Sequence, residues 1–150
     1  KLIGRMAKDK AIVISTHILE EVDAICTRAL IIDRGRVVAD GTPGALMARS
    51  RYHNAVSLTL SGQSTVAIAE KLRNLPGIET IEVTPRGEET TFTLFPKSAT
   101  ESDTMLVDAV ARLAREENWP VRALYGEPGR LDEVFRSLTR SDTVKGSAAA

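Results

Sequence analysis

The sequence predicts an α/β chain in two parts: a segment of an α/β core, then a smaller α+β domain with a closing helix. Three observations predict it. A continuous β-branched run, AIVIS at 11–15, leads at once into an amphipathic helix, which is the pattern of a strand buried on both faces of a parallel sheet. From residue 54 onward, alternating strand patterns interleave with helical ones. The charge also changes there: residues 1–53 carry nine Lys or Arg against six Asp or Glu, whereas 54–150 carry eleven against fourteen.

The elements follow in order. KLIGRMAKDK reads as a helix end, with Leu2, Ile3 and Met6 on one side and a basic last turn. After the strand at 11–15, Thr16 is placed to cap a helix whose apolar positions are Ile18, Leu19, Val22 and Ile25, while Glu20, Glu21 and Asp23 face water. RALIIDRGRVVADGTP reads as a hairpin. Strand Ala29–Asp33 turns at Arg34-Gly35 into strand Arg36–Asp40, and Pro43 opens a short helix.

AVSLTL is then a half-buried strand. Ser64 can cap a helix carrying Val66, Ile68, Ala69, Leu72 and Leu75, which Pro76-Gly77 closes. IETIEV and TTFTLF are strands joined through Pro85-Arg86-Gly87. Ser102 or Asp103 opens the longest helix, whose shared face is Leu106, Ala109, Val110, Leu113 and Ala114. Pro120 stops it, and VRALY is the next strand. The order strand, helix, strand, strand, helix, strand is the ferredoxin-like βαββαβ arrangement. LDEVFRSLT closes the chain as a helix with Leu131, Val134, Phe135 and Leu138 on one face. The expected domains are 1–53, 54–140 and a disordered tail at 141–150.

Composition excludes several classes. Twenty basic residues balance twenty acidic ones, so no global field favours nucleic acid or anionic lipid. The only cysteine, Cys26, can form neither an intrachain disulfide nor a thiolate cluster for a metal. No apolar run approaches the ~18 residues that cross a bilayer, so no direct membrane insertion is expected. The first ten residues lack the apolar core of a signal peptide, and a piece of a longer chain is expected.

VISTHILEEVDAICTRALIIDRGRVVADGTP resembles the end of an ABC-transporter ATP-binding subunit. In that family a strand ends in Ser/Thr-His, an acidic helix follows, and a hairpin closes on Gly-[Ser/Thr]-Pro. The resemblance implies that His17 is the switch, or H-loop, histidine. It would donate a hydrogen bond to the ATP γ-phosphate and help hold two ATP-binding subunits together. LDEVFRSLT is similar to the closing helix of exporter ATP-binding subunits of the drug-resistance, sodium-extrusion and gliding-motility type. For the complete protein this implies ATP with Mg²⁺, a homodimer of ATP-binding subunits and a transmembrane permease partner. It also implies a cytoplasmic place, peripheral to the inner face of the cell membrane.

The chain has no G-x-x-x-x-G-K-[ST] loop and no apolar strand ending in an Asp-Glu pair. Glu20 and Glu21 lie on a solvent face and are no substitute. One histidine cannot perform phosphoryl transfer, so the fragment alone is expected to be inactive, with no metal and no cofactor of its own. LSGQ at 60–63 resembles the family's LSGGQ signature but lacks a glycine and follows the histidine, so it reads as a strand-to-helix turn. Phe92 and Phe95 sit three apart on a strand and face opposite ways, which argues against an RNA-binding sheet. His53, Trp119 and Cys26 read as structural residues. The alternative function is a ferredoxin-like small-ligand sensor or protein-interaction domain.

Overall fold

The computed structural model describes residues 10–62, 65–97 and 103–139. The expected helix end before residue 10, the caps Ser64 and Ser102 and the tail at 141–150 lie outside them. The architecture is α/β, with two antiparallel sheets and, among the described residues, five helices. The chain divides into two compact units. One takes the described residues of 1–50 together with those of 130–150, and the other takes those of 51–129.

The first unit holds α1 (Leu19–Ile25), β1 (Ala29–Asp33), β2 (Arg36–Gly41), α2 (Pro43–Met47) and α5 (Leu131–Thr139). Its hairpin follows the sequence pattern closely. Arg34 and Gly35 both adopt positive φ, 48° and 75°, as the mirror-image turn that matches strand twist requires. Ile31 opposes Ala39 and Ile32 opposes Val37, so Val38 is an extra residue bulging from β2. The Thr42 side chain accepts the Ala45 N–H at 3.2 Å, and Pro43 begins α2.

A two-stranded hairpin cannot hold itself together in water and needs a packed face. Here Ile31 and Ala39 form a core with Leu46 of α2 and with Leu131 and Val134 of α5. Leu19, Val22 and Leu138 pack around it. The closing helix, expected within 54–140, therefore groups with the hairpin, because that is where its apolar stripe finds cover. Phe135, expected on the same stripe, stays exposed.

The expected strand at 11–15 has no ladder partner among the described residues. Its apolar side chains are solvent-facing, Val13 being 95% exposed. A strand of this composition needs neighbours on both edges and cover on both faces, and no described segment supplies them.

The second unit holds β3 (Val56–Ser61), α3 (Thr65–Arg73), β4 (Ile78–Arg86), β5 (Glu89–Pro96), α4 (Asp103–Glu116) and β6 (Val121–Gly126). The sheet runs β4-β5-β3-β6, and every paired strand is antiparallel to its neighbour. One face is the core: Val56, Leu58, Leu60, Phe92 and Leu94 meet Ala69 and Leu72 of α3 and Leu106 and Val110 of α4. The opposite face carries a hydroxyl ladder, with Thr59 opposite Thr91 at 2.9 Å between their oxygens.

Two local expectations shift. The β4–β5 ladder continues to Arg86 opposite Glu89, so the turn is Gly87-Glu88 and Pro85 lies inside the strand. Proline is tolerated there because β4 is an edge strand. Val66, expected on the buried side of α3, is exposed. Trp119 packs against the core after α4 ends, its backbone N–H bonded to the Ala114 carbonyl.

Candidate functional site

His17 lies between the unpartnered apolar segment and α1. The bend that places it is organised by Thr16. Its hydroxyl oxygen accepts the Ile18 N–H at 3.0 Å and its O–H donates to Glu21 Oε2 at 3.0 Å. Thr16 thus acts just ahead of the helix, and the residue at the N-cap position is Ile18, which makes no side-chain cap bond. The His17 side chain is exposed. The partial burial of Leu19 and Val22 on the hairpin core anchors α1 from its other side. An accessible imidazole at a fixed bend can donate a hydrogen bond to an anionic oxygen arriving from outside.

This arrangement suits one contact to a phosphate. Among the described residues, no group of three or more His, Cys, Asp or Glu is placed to hold a metal. Glu21 is engaged by Thr16, and Glu20 occupies the first turn of α1. Among the described residues no helix is long and apolar enough to cross a membrane.

The other singled-out residues have local roles. His53 Nδ1 donates to the Pro128 carbonyl at 3.0 Å. Cys26 is half-buried at the end of α1, its N–H bonded to the Val22 carbonyl. Gly62, in LSGQ, adopts φ +100°, in keeping with a turn, and Gln63 is outside the described residues. Phe92 is in the core and Phe95 is on the other face. The Arg51 guanidinium lies 4.9 Å from the Phe95 ring centre and 5.0 Å from that of Tyr52, covering both. Arg51 and the Tyr52 hydroxyl both bind Glu82.

Two arrangements gave no local sequence signal. Glu127 is buried and accepts a hydrogen bond from the equally buried Ser57 hydroxyl at 2.7 Å. A lone Glu after a strand reads as solvated, and the seventy-residue separation of these partners hides the pair. The second arrangement is a cavity in the 51–129 unit lined by Leu60, Ile68, Lys71, Phe92, Glu117 and Trp119, among others.

No family model matches the chain. Nearly all of it aligns with ABC proteins of known name. Over 93% of its length it is 31% identical to the Nod factor export ATP-binding protein I of Paraburkholderia xenovorans and 40% identical to that of Burkholderia orbicola. Over 92% of its length it is 29% identical to ABC transporter A family member 6 of Dictyostelium discoideum. The chain is thus related over nearly its whole length to ABC ATP-binding subunits, and these matches support its assignment as a fragment of one. It spans 40% of the length of each of the two Nod factor export proteins and 9% of the Dictyostelium protein.

Proposed function

We propose that, in the complete protein, this chain forms the C-terminal part of the ATP-binding subunit of a bacterial-type exporter. His17 is its switch histidine, donating a hydrogen bond to the γ-phosphate of ATP. The observation that carries this is the accessible imidazole at the Thr16 bend, inside the stretch whose order and spacing match the family. The Nod factor relatives are themselves named for export.

A hydrogen bond from an imidazole to phosphate is charge-assisted and worth about 1.5–3 kcal/mol. It exists only while the γ-phosphate does, so its loss reports hydrolysis. The remaining phosphate contacts, the Mg²⁺ ligands and the base belong to parts of the complete subunit that this sequence does not contain. Two such subunits form the dimer, and a transmembrane permease is the partner at the inner face of the membrane. The 51–129 unit serves as an accessory domain. Its element order and its β4-β5-β3-β6 sheet support the ferredoxin-like arrangement.

The test is a phosphate-release assay on this chain and on the complete subunit. The chain alone yields no turnover. In the complete subunit, His17→Ala leaves ATP affinity nearly unchanged and lowers hydrolysis by about tenfold or more. Undiminished hydrolysis in that variant, or turnover by the chain alone that depends on His17, overturns the proposal.

A further inference from the structure

Among the described residues, the helix-covered face of the 51–129 unit leaves a gap at one end of its sheet. A cavity of about 370 Å³ lies beside Ser61 and Gly62 at the end of β3, lined also by α3 and by the connection from α4 to β6. Leu60, Ile68, Phe92 and Trp119 give it an apolar lining. Its charged lining residues are Lys71 and Glu117, which form an ion pair with each other. The volume lies at the small end of the range that holds organic ligands, about 300–1,000 Å³.

We infer that this cavity binds a small zwitterion with an apolar side chain, an apolar α-amino acid in chemical class. The ligand carboxylate takes the Lys71 ammonium, its ammonium takes the Glu117 carboxylate, and its side chain covers the exposed parts of Ile68 and Trp119. Charge favours this class over its neighbours. An anion pairs with Lys71 alone and a cation with Glu117 alone, whereas a zwitterion pairs with both at once. The existing pair is an easy one to open, since both side chains are substantially exposed to water and such pairs contribute little. The site lies wholly within one unit and is independent of His17, so the two proposals fail separately.

Trp119 is the only tryptophan of the chain, so its fluorescence reports on the cavity directly. The experiment titrates the full chain with L-leucine, following Trp119 emission and binding heat. The expected result is saturation near about millimolar ligand. Glycine, which has the charges without the side chain, and N-acetyl-L-leucinamide, which has the side chain without the charges, do not saturate in that range. Lys71→Met weakens leucine binding by about tenfold. Ala67→Phe, at an exposed position on the lining, fills the cavity and removes binding while Tm stays unchanged. A flat leucine titration, equal binding of the capped amide, or leucine binding unaltered in both variants overturns the inference.

Discussion

Arg28 grips Asp40 with two parallel hydrogen bonds, Nε to Oδ1 at 2.8 Å and Nη2 to Oδ2 at 2.7 Å. The pair fastens the open end of the β1–β2 hairpin, across from its turn. Hydrogen bonding from Arg28 holds the Asp40 carboxyl below its ordinary value of 3.8. A carboxyl whose pKa falls on folding contributes stability above its unfolded value and loses it as pH falls through the folded one. Carboxyl NMR should therefore place the Asp40 midpoint below 3.8, and Arg28→Gln should move it upward. An unchanged midpoint in the variant refutes the assignment of cause.

Leu46 is almost wholly buried between the hairpin and the closing helix, while Phe135 on that helix is exposed. Leu46→Ala should cost about 2–5 kcal/mol in denaturant unfolding of the hairpin-bearing unit. Phe135→Ala should cost far less, because little of the ring leaves water on folding. Equal losses would mean that α5 presents its other face to the core.

Ser57 and Glu127 make a buried polar pair inside the second unit. Ser57→Ala removes one donor from the buried Glu127 side chain. That should cost about 1–3 kcal/mol by chemical denaturation. A neutral result would show that water reaches the site once the hydroxyl is gone.

Arg34 occupies the left-handed region at the hairpin turn, with φ 48°. That conformation suits Asn better than a long side chain at the first position of such a turn. Arg34→Asn should therefore raise stability by about 1 kcal/mol or less, the exposed contact to Asp33 being worth little. A drop in thermal midpoint would show that the side chain matters more than its backbone.

Much of the fold was legible because it depends on local periodicity. The Arg34-Gly35 turn, the Thr42-Pro43 start of α2 and the alternation of β3 and β5 follow from rules that act over a few residues. What escaped depends on partners far along the chain. Nothing within LDEVFRSLT says which surface its stripe will meet, and the answer lies on residues 31–46. The 11–15 run was read as a strand from its composition, but a strand is a relation between segments. His17 was singled out by its neighbours in sequence. The cavity was not, because Leu60, Ile68, Phe92 and Trp119 come from four separate elements or loops.

The way in and out of the 51–129 unit has a further consequence. Asn54 N–H bonds to the Glu127 carbonyl at 3.1 Å and Glu127 N–H to the Ala55 carbonyl at 2.7 Å, so the chain enters and leaves side by side. Such a segment is a cassette, closed at its own neck. It can lengthen, shrink or be exchanged for another without altering the spatial separation of the two chain ends it joins, provided the replacement keeps its own ends together. Evolution can thus rewrite this segment while the part of the molecule that carries His17 stays as it is.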